Sequence, residues 1–134
     1  MKYLLDTNTC IQHLTQRSDQ LIKKIEQIDA HDIALCSVVR AELFFGAMRS
    51  THPEKTLADQ LLFLSRFPSL PFDDSAAERY GKIRAELANL GTPIGPNDLL
   101  IAAIALANNL TLVTHNTREF GRVTGLKIDD WEVS

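Results

Sequence analysis

The chain has 134 residues, with 14 Lys and Arg against 17 Asp and Glu, so its formal charge at neutral pH is −3. At 45% hydrophobic and 23% charged residues it is not a disordered chain, and its length suits one compact domain spanning residues 1–134. The mild acidity argues against a nucleic-acid partner held by a strongly basic surface.

Cys10 and Cys36 stand far apart, with no CxxC spacing. That fits reduced, buried thiols and offers zinc nothing. The N-terminal apolar run stops at Asp6, too short for a signal peptide. The longest apolar run, residues 99–107, falls well short of the ~20 residues that a membrane-spanning helix needs. A cytoplasmic protein is expected.

In chain order, residues 2–5 read as a buried strand that stops at Asp6-Thr7-Asn8, residues suited to cap a following helix. Leu21, Ile25 and Ile28 recur at helical spacing behind the cap Ser18-Asp19. Residues 33–36 form a second apolar strand, and Ser37 is expected to cap a helix running to about position 50. Pro53 starts another helix, with Leu57, Leu61 and Leu64 on one face. A third strand is expected at 70–72. Asp73-Asp74-Ser75 caps a helix whose stripe is Ala76, Tyr80, Ile83, Leu87 and Leu90, and Gly91 ends it. Residues 92–97 read as a rigid loop, and Asp98 opens an apolar helix through Ala107. Residues 110–114 make a fourth strand, 117–120 a short helical turn, and 127–128 a candidate fifth strand. Short apolar strands alternating with helices imply a parallel sheet covered on both faces. Such sheets carry their sites at the carboxyl ends of the strands, near the switch in strand order.

That rule directs attention to Asp6, which directly follows the first strand. Taken alone it is equally well explained as a helix cap. Glu42 is more informative. Its helical neighbours are Val38, Val39, Phe45 and Gly46, so a carboxylate lies on or beside an apolar stripe. Burying it unpaired costs several kcal/mol, roughly, so a basic partner such as Arg40 or Arg84, a shifted pKa or a cation must compensate it. Asp98 suits the first turn of its helix through the helix dipole, yet the loop before it also fixes its direction. Three carboxylates converging at one sheet edge are hard oxygen ligands, suited to Mg²⁺ or Mn²⁺ rather than zinc. Such a site fits hydrolysis of a phosphodiester. Thr114, His115 and Asn116 follow the fourth strand at the same edge. Thr114 and Asn116 are able to bond a ligand, water or carboxylate, and Asn8 to orient Asp6 or cap the helix. His115 reads better as a solvated loop residue than as a base. Glu119 reads as an outer acid or a surface residue.

Four segments carry a resemblance. They are Leu4-Leu5-Asp6-Thr7-Asn8, Ser37-Val38-Val39-Arg40-Ala41-Glu42-Leu43-Phe44-Phe45-Gly46-Ala47, Ile83-Arg84-Ala85-Glu86-Leu87 through Gly95-Pro96-Asn97-Asp98, and Leu112-Val113-Thr114-His115-Asn116-Thr117-Arg118-Glu119-Phe120. In this order they closely resemble the PIN-domain ribonuclease toxins of bacterial VapBC toxin–antitoxin pairs, over nearly the whole chain. The resemblance implies a three-layer α/β/α sandwich on a parallel sheet of four or five strands. It implies an endoribonuclease that uses Mg²⁺ or Mn²⁺ and no organic cofactor, with RNA such as tRNA as target. By position, Asp6, Glu42 and Asp98 match the family's central acids and its metal ligands. The fourth acid of many members falls at Asn116, which can position water or a ligand but supplies no charge. The resemblance also implies a homodimer and a VapB-type antitoxin whose basic groups pair with the acidic groove.

Other readings fit less well. A haloacid-dehalogenase-type phosphotransferase needs Asp-x-Asp-x-Thr, and Asp6-Thr7-Asn8-Thr9 lacks the second acid. A receiver domain needs an acid pair after strand one and a late Lys. A PIN-like module that binds protein or RNA without catalysis is the remaining alternative, and the three acids speak against it.

Overall fold

The computed structural model describes residues 1–133; Ser134 lies outside the described residues. The chain runs β1 (Tyr3–Leu5), α1 (Thr7–Leu14), α2 (Asp19–Gln27), a 3₁₀ turn (Ala30–Asp32), β2 (Ile33–Cys36), α3 (Ser37–Met48), α4 (Pro53–Leu64), β3 (Ser69–Leu70), α5 (Asp74–Asn89), α6 (Pro96–Ala107), β4 (Thr111–Val113), α7 (Thr117–Phe120) and β5 (Ile128–Asp129). All five strands are parallel, in the order β3-β2-β1-β4-β5.

The chain therefore starts in the middle of the sheet, builds outward to β3, and returns across β1 to lay down β4 and β5. Right-handed crossovers then place α1–α4 on one face and α5–α7 on the other. The packing agrees. α1 touches α2, α3 and α4, and α5 lies along α6. All four residues of β2 are buried, as are Leu4, Leu5, Leu112 and Val113, which is why these strands read as plain apolar runs. α6 is apolar nearly all round because it is sunk in this core, with six of its residues buried.

Several boundaries differ from the sequence expectation, each for a local reason. β3 is Ser69–Leu70 rather than 70–72, since Pro71 has no N–H to give a ladder. Ser37 does not cap α3; it is the first helical residue, Cys36 holds the cap position, and the Ser37 hydroxyl donates to the Leu70 carbonyl at 3.4 Å. α3 ends at Met48. α6 begins at Pro96, whose fixed φ suits a first helical position, so Asn97 and Asp98 already sit in its first turn. Asp73 caps α5 as expected, accepting from the Ala76 N–H at 2.9 Å. Gly91, with φ +70, takes the left-handed turn that ends this segment. No helix among the described residues is long and apolar enough to cross a membrane.

Candidate active site at the strand switch

β1 and β4 are the neighbours between which the chain reverses its direction of build, and their carboxyl ends open one crevice. Asp6 closes β1 and is only 4% exposed. It caps α1 by accepting from the Thr9 N–H at 2.8 Å, while its own N–H donates to the Val113 carbonyl at 3.1 Å. Burial pushes its carboxyl pKa up, against the lowering effect of bonds from the Thr114 and Thr9 side chains and the Thr9 backbone; Glu42 adds a further upward push. Thr114 is itself fully buried and also accepts from the Asn116 N–H at 2.9 Å. Cap and site residue are thus one and the same for Asp6.

Glu42 sits on α3 as the helical spacing predicts, half-buried beside the apolar stripe. No Lys or Arg forms an ion pair with it among the described residues. Arg40 lies over the Phe44 ring and Arg84 bonds the Tyr80 hydroxyl instead. Glu42 is held by the Thr7 hydroxyl on one oxygen and by Asn97 Nδ2, 3.3 Å from the other. The second bond joins α3 to α6, helices from opposite layers that meet at this edge.

Asp98 lies one residue beyond Asn97. Its pKa is raised from 3.8 to about 6, first by burial and then by the charges of Glu119, Asp6 and Glu42. Those are the three other carboxylates of the crevice, so their mutual repulsion converges on this group. Glu119, which the sequence left between an outer acid and a surface residue, is the fourth acid here. Asn116 Nδ2 and the Gly95 N–H each donate to it at 2.9 Å, and these bonds hold its pKa down. A signal for it did exist. Asn116 occupies the cap position of α7 and Glu119 stands three residues on, the spacing of a capping box. Here Glu119 turns its carboxylate to Gly95 and Asn116 rather than to the cap N–H.

Asp6, Glu42 and Asp98 are therefore brought together, Thr114 and Asn116 support them, and Asn8 is not brought in: it is exposed. Thr7 and Asn97 are the further contacts that the sequence did not single out. The fit to a cation can be judged from this donor set. Four carboxylates share a crevice, none is ion-paired to Lys or Arg among the described residues, and one is raised to a pKa of about 6 by burial first and by the charges of the others after it. Hard oxygen donors without an ion pair to Lys or Arg, and with Arg122 acting on Glu119 alone, fit Mg²⁺ or Mn²⁺. Among the described residues, the three donor atoms that close to within 4.8 Å of one another belong instead to His115, Asp130 and Glu132, beside this crevice. The wider spacing of the four acids suits an ion that keeps several of its waters.

The PIN domain family model matches residues 3–126. The chain belongs to the PIN-domain family. This PIN domain is 40% identical over 131 residues to the tRNA(fMet)-specific endonuclease VapC of Salmonella typhimurium, covering 98% of each chain. It is 39% identical to ribonuclease VapC2 of Haemophilus influenzae, again over 98% of each. Among solved structures, it matches the DNA-bound VapBC of Salmonella typhimurium with a TM-score of 0.93 at 40% identity, over 98% of each chain. VapBC2 of Rickettsia felis, bound to a fragment of promoter DNA, matches at 0.92 and 38% identity, over 98% of this chain and 99% of that one.

Proposed function

We propose that this PIN domain, acting as one unit of residues 1–134, is the toxin of a VapBC-type pair. It is a cytoplasmic endoribonuclease dependent on Mg²⁺ or Mn²⁺, with tRNA as its substrate class. A VapB-type antitoxin keeps it inactive, and it works as a homodimer. One observation carries the catalytic reading: Asp6, Glu42, Asp98 and Glu119 meet at the strand switch with no Lys or Arg ion pair among the described residues, and their charges act together on Asp98. The tRNA target follows from the named activity of the Salmonella relative, and the antitoxin from the VapBC complexes of the structural neighbours.

Asp6, Glu42 and Asp98 would hold the cation, and Glu119 would complete the negative field around it. A bound divalent ion would supply charge neutralisation for a phosphodiester and Lewis-acid activation of water. The protein's own groups prepare this. Thr7 and Asn97 fix both oxygens of Glu42, so the carboxylate does not have to be ordered when the substrate arrives. Thr114 and Thr9 hold Asp6. Asn116 aligns Glu119 through its amide. Asp98, raised to about 6, would have to give up its proton to take a cation, so cation affinity is expected to fall as the pH drops below about 6.

The test is incubation of purified, antitoxin-free protein with a tRNA panel, in Mg²⁺, in Mn²⁺ and in EDTA. Metal-dependent cuts that vanish in Asp6→Asn are expected. Absence of any metal-dependent product across the panel overturns the reading in favour of a silent binding module.

A further inference from the structure

The edge that carries the acids also carries one imidazole. His115 lies between Thr114, which bonds Asp6, and Asn116, which bonds Glu119. Its side chain is 61% exposed, yet its ring is tethered. Nδ1 stands 2.8 Å from Asp130 Oδ2, on a side chain only 13% exposed. The other oxygen of Asp130 accepts from the Glu132 N–H at 2.9 Å, so the carboxylate is itself fixed by the backbone. A carboxylate at Nδ1 requires a hydrogen there, which leaves Nε2 as the ring's remaining polar atom.

Two uses suit this trio. The donor atoms of His115, Asp130 and Glu132 are close enough to clasp a cation. Alternatively, the two acids favour the charged form of the imidazole. The closed Nδ1 to Asp130 bond favours the second, because a metal at Nδ1 would have to break it. The bond and charge of Asp130, then the charges of Glu132 and Asp6, all hold the His115 proton more firmly than in free histidine. Substrate chemistry gives that charge a purpose. RNA meets four carboxylates here, and its flanking phosphates need positive donors at the rim.

We propose that His115, oriented by Asp130, is an RNA-positioning residue whose Nε2–H binds a backbone phosphate next to the bond being cut. The proposal rests on the nuclease reading above. Losing one charge-assisted bond to phosphate weakens substrate binding about tenfold. His115→Gln should therefore raise KM by about that factor and leave kcat close to wild type, and His115→Lys, which restores a cation, should recover KM. In wild type, KM climbs as the pH rises and the imidazole loses its charge. In Asp130→Asn the same climb should begin at lower pH, because the acid that holds the proton has gone.

A second arm removes catalysis from the question. Fluorescein-labelled single-stranded RNA is titrated in EDTA into Asp98→Asn and into Asp98→Asn with His115→Gln, and the double variant should bind about tenfold more weakly. Equal binding in this pair, or an unchanged KM in an actively cleaving His115→Gln, overturns the role of His115 and leaves the nuclease reading standing. A wild type that cuts nothing overturns the nuclease reading, and the binding pair then decides on His115. Selective broadening by Mn²⁺ of the His115 ring signals, retained in Asp6→Asn with Asp98→Asn, would make the trio a cation site and overturn the phosphate contact.

Discussion

Asp98 is the residue at which the site reports on itself. In the folded chain it keeps its proton to about pH 6, against 3.8 for an ordinary aspartate. A raised carboxyl pKa favours the folded state at low pH, and that advantage fades as the pH climbs through 6. The metal-free protein should therefore lose melting temperature between about pH 4 and pH 6, and Asp98→Asn should flatten this part of the curve while ending cleavage. A differential scanning calorimetry series across pH checks both. His13 works in the opposite sense. Burial, and then Arg66, lower its pKa from 6.5, with Glu26 opposing. Both ring nitrogens are buried without partners, and the ring packs on Phe63 at 4.9 Å. Stability from this group is present above 6.5 and lost as the pH falls, so His13→Phe, in the Asp98→Asn background, should melt higher than its parent at pH 5. For Asn116, replacement by Asp puts a charge where only an amide now touches Glu119. Tighter Mn²⁺ binding by calorimetry is the expected result, and no change would place the residue outside the cation's reach.

At the scale of elements, the cap of α1 and the chemistry of β1 are one side chain, and substitutions separate them. Asn caps a helix about as well as Asp, whereas Ala costs about 1 kcal/mol at such a position. Asp6→Asn should keep the melting temperature near that of wild type and abolish cleavage. Asp6→Ala should abolish cleavage and lose about that much stability as well, read from urea midpoints. The elements were also where sequence reading worked best. The strands at 33–36 and near 3–5 and the helices from Asp19, Pro53 and Asp74 are legible because local period and caps agree with burial. β3 was set by a proline that ends the ladder, and the start of α6 by Pro96, both matters of one backbone donor. Among site residues, Glu42 was legible because a carboxylate interrupts an apolar face. Glu119 was not. Its place depends on the Gly95 N–H, 24 positions away, and no local pattern contains that partner.

For the molecule as a whole, the net charge of −3 turned out to be the wrong measure of a nucleic-acid partner. What matters is a local knot of four acids, whose charge a bound divalent ion would balance. Filling such a site stabilises the fold by mass action, about 2.7 kcal/mol at a hundredfold excess over Kd. A titration with Mn²⁺ should raise the melting temperature of wild type by several degrees, and that of Asp98→Asn far less.

The order of the strands has a consequence in time. Asp6 is made well before its partner Thr114 and the fourth acid Glu119, which stand at the far side of the strand order in sequence. A nascent chain that has not yet delivered β4 has three acids and no crevice. A chain wired in this way has no complete acidic site until β4 lies against β1. Chains ending before residue 111 should accordingly cause no growth arrest, however much of them the cell accumulates.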